Sequence, residues 1–285
     1  MNKKLLILIL SFFVLSINLK SYSNSYITEE IVKGCEPFEI KSNKSKKAFL
    51  LLHGLGGCPH EVSLVGEYLS NNGYNVFAPR YPGHGAKGKV MSNYGWQDWY
   101  NIAENQYLDL IKKYDEVYVL GFSTGGTLTL KLAEKYNIKK IVLLSPFIYI
   151  AYKWFYIFRP ETYLTTVASF IDDWPANLTL VHINDPIARK NYIRGDYFSF
   201  KATRSALELI QETKKDLSKI KSDVLIIHSK GDETTDYSGS EYLYKNIGST
   251  NKKLITLKKS NHIIGLDYEK NKVFREIKYF INSNN

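Results

Sequence analysis

The sequence lacks the common signatures of metal and cofactor chemistry. It has no Walker-type glycine–lysine loop, no H-E-x-x-H pair and no cysteine or histidine spacing that suits zinc. Its one G-x-G-x-x-G match, GHGAKG at 83–88, opens no helix, and no acid follows about twenty residues on at the end of a second strand. We therefore expect no metal and no cofactor.

Only the beginning of the chain has an apolar run longer than a buried strand. There Lys3 and Lys4 precede a thirteen-residue stretch, Leu5–Ile17, and small residues follow at Ser21 and Ser23. Such a run would span about 20 Å as a helix, which is short of the ~30 Å hydrocarbon core of a bilayer. The pattern predicts a secretory signal peptide over 1–23, cleaved near Ser23, and an exported protein, periplasmic or secreted. A retained membrane anchor is the alternative.

Cysteine is scarce. The chain has two, Cys35 and Cys58, and both lie beyond the predicted signal peptide. An oxidising compartment permits a disulfide between them, and two buried thiols are the alternative. Nothing near either cysteine resembles a base-activated thiol, so we expect no cysteine nucleophile.

Composition and charge indicate a folded globular protein. Hydrophobic residues make up 44% of the chain and charged residues 23%, so neither disorder nor a collagen-like structure fits. The formal net charge is +10, and it becomes +7 when Lys3, Lys4 and Lys20 leave with the signal peptide. The remaining lysines are scattered, which predicts a solvated basic surface. We expect no nucleic-acid partner and at most transient contact with an anionic membrane surface.

Apolar runs of strand length alternate with helical patterns along most of the chain. The strand-like runs extend from KAFLLLHG at 47–54 to KKLITLKKSNH at 252–262, and an amphipathic segment, KNKVFREIKYFI, follows. This alternation predicts an α/β fold with a mostly parallel central sheet and helices on both faces. The length suits one main domain, which we place at 24–285. In such sheets ligands bind beyond the carboxyl ends of the strands.

One region, from Tyr149 to Phe200, interrupts the alternation. It is rich in Tyr, Phe and Trp, contains three prolines and has no regular strand spacing. Because it directly follows the fourth predicted strand, we interpret it as an insertion, the cap segment, that covers the carboxyl edge of the sheet. A satellite subdomain that only packs against the sheet is the alternative.

The stretch VYVLGFSTGGTLTL has a serine where a predicted strand becomes a predicted helix. Gly121 and Gly125 flank Ser123 in a G-x-S-x-G motif. In such a turn the residues two positions away nearly touch the strained serine, so side chains there would collide. The turn exposes the hydroxyl and leaves the Thr124 N–H free at a helix N-terminus. We predict that Ser123 is a nucleophile, and a plain glycine-rich turn is the alternative.

A serine hydroxyl needs a base, and the sequence has six histidines. We predict His262 as the base, because it lies in KKSNHIIGLD, on a loop between the last strand and the closing helix. The others have simpler interpretations: a structural residue in an apolar strand (His228), a loop residue (His84), a brace for the HGLGG turn (His53) and no supporting motif (His60, His182).

The base in turn needs an acid, which in one known chain order lies between the serine and the histidine. The stretch VLIIHSKGDETTD offers Asp232, Glu233 and Asp236. We predict Asp232, because it is the first acid past the strand. Asp236 is the alternative, although it suits a helix cap better.

A serine nucleophile also needs two donors for the negative oxygen of its tetrahedral intermediate. The Thr124 N–H is one, and HGLGG after the first buried strand offers the Leu55 N–H as the second. Each such donor is worth about 3 kcal/mol in the transition state.

Taken together, these segments resemble the α/β-hydrolases and, within them, the bacterial carboxylesterases and monoacylglycerol lipases. The resemblance covers nearly everything after residue 34 and rests on LLLHGLGG, YPGHG, GFSTGG, HSKGDETTD and SNHIIGLDYEKNKVFREIKYFI. It implies an α/β-hydrolase fold with Ser123 as nucleophile, Asp232 and His262 as its partners, and Leu55 and Thr124 as oxyanion donors. The signal peptide and the cap segment depart from these relatives, so the acyl-chain preference does not carry over.

The sequence therefore predicts an exported serine hydrolase that cleaves carboxylic esters through an acyl-enzyme. The aromatic cap segment suggests apolar groups of modest size, and monoacylglycerols or lysophospholipids fit that description. Amide or peptide hydrolysis by the same triad is the alternative among enzymes. A non-catalytic binding protein on the same fold is the alternative outside them.

Overall fold

The computed structural model of the chain describes residues 29–42, 45–151 and 173–283. The strands are β1 (Phe38–Ile40), β2 (Lys47–Leu52), β3 (Asn75–Ala78), β4 (Glu116–Phe122), β5 (Lys140–Leu144), β6 (Asp173–Pro175), β7 (Tyr197–Ser199), β8 (Asp223–Ser229) and β9 (Lys252–Leu257). The α-helices are α1 (Ser63–Asn71), α2 (Trp96–Ile111), α3 (Thr124–Lys135), α4 (Pro186–Lys190), α5 (Phe200–Lys214), α6 (Tyr237–Asn246) and α7 (Lys270–Asn282).

The central sheet has seven strands in the order β1-β3-β2-β4-β5-β8-β9. At one edge β1 pairs antiparallel with β3, and every other neighbouring pair is parallel. The predicted α/β fold with a mostly parallel sheet is confirmed. The edge strand β1 has only three residues, which are too few to carry a periodic pattern.

The inner strands are buried on both faces, as their continuous apolar sequences predict. All residues of β2, β4, β5 and β8 are buried apart from the first residue of β2, β4 and β8. Helices α1 and α7 cover one face, with Leu69 and Ile277 in the core between helix and sheet. Helices α2, α3, α5 and α6 cover the other face, with Trp99 and Leu128 in that core. Burial of these apolar surfaces is the main force that holds the layers together.

A disulfide joins Cys35 and Cys58, so the alternative of two buried thiols is wrong. It connects the segment before β1 with the loop after β2, and both cysteines are fully buried. The segment at the beginning of the described chain is thereby tied to a loop at the carboxyl edge of the sheet.

The cap segment leaves the sheet after β5 and leads into α5, and the structure describes 149–151 and 173–200 of it. Strands β6 and β7 form a two-stranded antiparallel sheet. Asp185 caps the beginning of helix α4, since its carboxylate accepts the N–H groups of Ile187 and Ala188. The irregular sequence did not predict these short elements.

The predicted signal peptide, 1–23, lies outside the described residues. Within the described ranges, no helix is both long enough and apolar enough to cross a membrane.

Candidate active site

The turn between β4 and α3 holds Ser123 in an unusual backbone conformation, with φ 54° and ψ −119°. A Cβ on Gly121 would lie 2.1 Å from the carbonyl oxygen of Gly125. A Cβ on Gly125 would lie 2.2 Å from the carbonyl oxygen of Leu52 at the end of β2. Both glycines are therefore required by sterics, which is the close approach that the G-x-S-x-G motif predicts.

The structure brings Ser123, His262 and Asp232 together at the carboxyl edge of the sheet. The distance from Ser123 Oγ to His262 Nε2 is 3.0 Å, and from His262 Nδ1 to Asp232 Oδ2 it is 2.7 Å. Asp232 follows β8, and His262 follows β9. Residues separated by up to 139 positions in the sequence thus form one hydrogen-bonded chain of hydroxyl, imidazole and carboxylate.

The Asp232 carboxylate is ionised in this setting. Burial opposes its ionisation, but the facing charge of His262 and hydrogen bonds from His228 and His262 outweigh burial, so the pKa of Asp232 lies well below its usual range. Its Oδ1 also accepts the N–H groups of Thr234 and Thr235. An ionised carboxylate at Nδ1 sets the tautomer of His262, so that Nε2 faces Ser123 as a proton acceptor.

Sequence reasoning missed a role for His228, which it interpreted only as a structural residue of β8. Its Nε2 lies 3.0 Å from Asp232 Oδ2, and its Nδ1 lies 2.7 Å from the hydroxyl oxygen of Ser240. His228 therefore donates to the same carboxylate oxygen as His262. The HSKGD spacing, which places a histidine four residues before Asp232, was the available signal.

The other two candidate acids have different positions. Asp236 caps α6 and accepts the N–H of Ser238 at 2.8 Å, so it is the helix cap and not the partner of His262. Glu233 Oε2 accepts from the side-chain amide of Asn261 at 3.1 Å and lies 3.4 Å from His182 Nδ1.

The loop after β2 brings the predicted oxyanion donors to the serine. Leu55 and Thr124 both line the cavity over Ser123, and neither N–H has an acceptor within the part of the chain that the structure describes. His53 braces this loop, as expected: its Nδ1–H donates to the Gly54 carbonyl at 2.9 Å, and its Nε2 accepts the Tyr81 N–H at 3.3 Å.

The loop that carries His262 is held by a second buried carboxylate, Asp267. Its oxygens accept four backbone N–H groups at 2.7–2.9 Å: two on the histidine loop and two on the cap segment (Asn261, Tyr268, Asn184, Asp185). In addition, the His262 N–H donates to the carbonyl of His182 in the cap segment at 3.1 Å. The cap segment is therefore part of the support of the histidine, which the sequence did not indicate.

A cavity of about 350 Å³ lies above Ser123. The cap segment contributes part of its wall (Ile150, Thr179, Leu180, Val181, His182, Tyr192, Arg194, Phe198). Most of the wall is apolar, and Glu61 is the single carboxylate among the described residues that line it. Elsewhere in the described ranges, no group of three or more His, Cys, Asp or Glu side chains could hold a metal ion.

Among known protein families, the sequence model of a hydrolase family described as serine aminopeptidase, S33, matches residues 43–269 of the chain. A thermostable monoacylglycerol lipase of Bacillus sp. (strain H-257) is 28% identical over 255 residues, which cover 88% of this chain and 96% of the relative. A carboxylesterase of Bacillus subtilis (strain 168) is 26% identical over 247 residues, 86% of this chain and 96% of the relative.

Among solved structures, a monoacylglycerol lipase of Paleococcus ferrophilus superposes with a TM-score of 0.71 at 21% identity, and covers 86% of this chain and 98% of its own. A structure described with the metagenome-derived lipolytic enzymes LipS and LipT gives a TM-score of 0.79 at 22% identity, with 89% and 100% covered. These likenesses establish the fold.

Proposed function

The chain belongs to the serine aminopeptidase S33 family of α/β-hydrolases, and we propose that it cleaves carboxylic esters through an acyl-enzyme on Ser123. The observation that carries the proposal is the hydrogen-bonded chain from Ser123 through His262 to Asp232, with contacts of 3.0 and 2.7 Å. This geometry is the one that activates a serine hydroxyl.

The reaction follows from the positions of these groups. Ser123 Oγ attacks the ester carbonyl carbon while His262 Nε2 takes its proton, and the new oxyanion accepts the N–H groups of Leu55 and Thr124. Collapse of the intermediate breaks the bond to the alcohol, which leaves with the proton from His262. Water then attacks the acyl group, again with His262 as the base, and releases the acid and free Ser123. Asp232 stays ionised and stabilises the imidazolium in both halves of the reaction.

The chemistry of the cavity favours esters of apolar or lipid-like compounds. Its wall is mostly apolar and includes the rings of Phe122, Phe147 and Phe198. The relatives with the names monoacylglycerol lipase and carboxylesterase support ester substrates. The net positive charge would favour transient contact with an anionic lipid surface, from which such substrates come.

Amide or aminopeptidase activity is the second candidate, because the family description names a serine aminopeptidase. A substrate ammonium group that leaves water needs a charged or polar partner. Among the described residues around the cavity the one carboxylate is Glu61, and both of its oxygens already accept hydrogen bonds from the protein. This arrangement favours the ester over an aminoacyl amide.

Matched substrates test the choice. We expect the protein to hydrolyse p-nitrophenyl esters of increasing acyl length with a higher kcat/KM than p-nitroanilides of the same acyl groups and of amino acids. A higher kcat/KM on the aminoacyl anilides would assign the protein as a peptidase.

Labelling tests whether the protein is an enzyme at all. A fluorophosphonate probe should label the wild type and the control variant Ser238→Ala, since Ser238 is exposed and is not one of the residues that line the cavity. It should not label Ser123→Ala. A wild type that takes no label would instead support a non-catalytic binding protein.

We also propose that the protein is exported. The charged and apolar beginning of the sequence supports this, and so does the Cys35–Cys58 disulfide, since disulfides persist in oxidising compartments. N-terminal sequencing of protein from the culture medium or periplasm should give a chain that begins near residue 24. Recovery in the membrane fraction with residues 1–23 intact would support the anchor, and recovery in the cytoplasm would refute export.

A further inference from the structure

A buried glutamate, Glu61, lies between the predicted oxyanion loop and the cap segment. It is 5% exposed. Its Oε2 accepts the Gly54 N–H at 2.8 Å, and its Oε1 accepts the Tyr192 O–H at 2.6 Å. The carboxylate thus joins the loop after β2 to a residue more than a hundred positions away in the sequence.

The contact with Gly54 bears directly on the Leu55 N–H. The Gly54 carbonyl and the Leu55 N–H belong to one planar trans peptide, so they point in opposite directions. His53 holds that carbonyl at 2.9 Å, and Glu61 holds the N–H of the preceding peptide. Both peptide planes around the Gly54 Cα are therefore fixed, and together they determine where the Leu55 N–H points.

The space around the carboxylate shows that its position is specific. A Cβ on Gly57 would lie 2.2 Å from the Glu61 carboxyl carbon, so the loop folds directly over this group. Burial raises the pKa of Glu61, and the hydrogen bonds from Tyr192 and Gly54 and the charges of His262 and Arg194 oppose that rise. A buried acid that is held by two donors is costly to move, because each donor would lose its partner.

We propose that Glu61 is a positioning residue that sets the oxyanion hole, and that Tyr192 makes this geometry depend on the seating of the cap segment. The proposal rests on the proposed acyl transfer at Ser123. Glu61 acts on the reaction through the Gly54 and Leu55 peptides and touches no reacting atom. The cap segment then contributes to turnover as well as to substrate choice.

Four variants separate positioning from folding, and a fifth, Tyr192→Phe, tests the link to the cap segment. Glu61→Ala removes the carboxylate, and Gly57→Ala displaces it without removing it. Glu61→Gln is the conservative variant, because its amide oxygen still accepts the Gly54 N–H and its amide nitrogen can donate to the Tyr192 oxygen. Glu67→Ala is the control, since Glu67 is an exposed acid in the helix that follows.

Three measurements are made on each variant: kcat and KM on a p-nitrophenyl ester, the affinity for an alkylboronic acid, and the rate of fluorophosphonate labelling. A boronic acid forms a tetrahedral adduct on the serine, so its affinity reports the oxyanion hole. Thermal unfolding shows how much of each sample is folded.

We expect Glu61→Ala and Gly57→Ala to lower kcat by about 100-fold, as a displacement of about 1 Å does in other active sites, with KM changed by less than about threefold. Boronic acid affinity and labelling rate should fall in parallel, and Glu61→Gln should restore most of each. Tyr192→Phe should lower kcat by a smaller factor, since the Gly54 contact remains.

The inference would be overturned if folded Glu61→Ala had a kcat within about threefold of wild type. If Glu61→Ala does not fold, the same result in folded Gly57→Ala would overturn it. An equal loss of kcat in Glu61→Gln and Glu61→Ala would also overturn the inference. A wild type that labels but cleaves no ester refutes the ester assignment alone, because boronic acid binding and labelling still test the oxyanion hole. A wild type that does not label refutes both.

Discussion

The two sides of Ser123 are built on different principles. On the acid–base side, formed by the loops of Asp232 and His262, the groups that carry the chemistry are side chains, and they contact each other directly at 2.7 Å. In the proposed mechanism, the group that acts on the oxyanion side, formed by residues 53–61, is a backbone group, the Leu55 N–H. Its position depends on contacts with His53 and Glu61.

The difference shows how each kind of group can be supported. A side chain that takes part in the reaction can be held by a hydrogen bond from its own atoms to a neighbour and by the strand that it follows. A backbone donor can be fixed only through the peptides around it, which His53 and Glu61 hold here, and residues distant in the sequence hold that loop in turn. On the oxyanion side these are Tyr192 in the cap segment and Cys35 near β1, through its disulfide. The following predictions test this comparison, from the largest expected effect to the smallest.

The largest effect should come from the acid of the acid–base side. Asp232→Asn should lower kcat by about 10⁴-fold, because an amide stabilises neither the correct tautomer of His262 nor its protonated form. Asp236→Asn is the matched control four residues on, and it should stay within about threefold of wild type, since Asp236 only caps α6. Ester kinetics at saturating substrate give both values. A greater loss in Asp236→Asn would exchange the roles of the two acids.

The next largest effect, on stability, should come from Asp267, through which the acid–base side also depends on the cap segment. Asp267→Asn replaces one oxygen, which accepts two N–H groups, by an amide that donates. Because Asp267 itself is fully buried, leaving two of the N–H groups that face it without a partner should lower the free energy of unfolding by about 2–4 kcal/mol.

Denaturant unfolding measures the change. Asp109→Asn, which affects an exposed pair with Lys112, should change stability by less than about 0.5 kcal/mol. Equal stabilities for the two variants would mean that Asp267 does not hold the loop.

The disulfide tests the oxyanion side. It joins cysteines 23 positions apart in the sequence, so the double substitution Cys35→Ala and Cys58→Ala should lower the free energy of unfolding by about 3 kcal/mol. The same measurement in a reducing agent should bring the wild type down to the value of the double variant. A wild type whose stability does not respond to reduction would show that the bridge contributes nothing to the fold.

The smallest expected effect is the pH dependence of stability that His84, behind the oxyanion loop, causes. Burial, with the charge of Arg80 in the same sense, lowers the pKa of His84 to about 4 against the hydrogen bond with the Pro82 carbonyl. The unfolded chain therefore binds more protons than the folded chain between about pH 6.5 and pH 4, and stability falls as the pH falls through this window.

His84→Gln should reduce the loss of stability between pH 7 and pH 5 by about 2 kcal/mol. Glu134 acts in the opposite sense, because burial raises its pKa to about 7, so Glu134→Gln should make the loss steeper. Denaturant unfolding at the two pH values measures both slopes. An unchanged slope in His84→Gln would contradict the assignment of a neutral, buried imidazole.

Much of the fold was predictable because its signals are local. The buried strands β2, β4, β5 and β8 are continuous apolar runs, and the G-x-S-x-G turn requires glycine for steric reasons that the sequence displays. The positions of the acid and the histidine in the sequence were also predictable from local signals, since each comes directly after an apolar strand. Their contact at 2.7 Å depends on the strand order β8-β9, which the alternating pattern implies only in part.

The remainder was not predictable, because it depends on pairs that are distant in the sequence. Nothing near Glu61 indicates that Tyr192 will donate to it, and Asp267 gives no sign in the sequence that it will accept N–H groups from the cap segment. His228 was interpreted as structural because an apolar strand surrounds it, whereas its ring reaches the acid that follows the same strand. The short strands β6 and β7 have too few residues to show a period.

The strands on either side of the cap segment are direct neighbours: Leu144 of β5 pairs with Ile227 of β8. The chain thus departs from the sheet and returns to the adjacent position, and the sheet hydrogen bonds continue across the gap as if nothing had been inserted. If the chain were produced as two fragments divided within this excursion, one would carry Ser123 and the other Asp232 and His262, and the two would present complementary strand edges. We expect such fragments to recover ester turnover only on reassociation, which makes the molecule a natural scaffold for a split reporter.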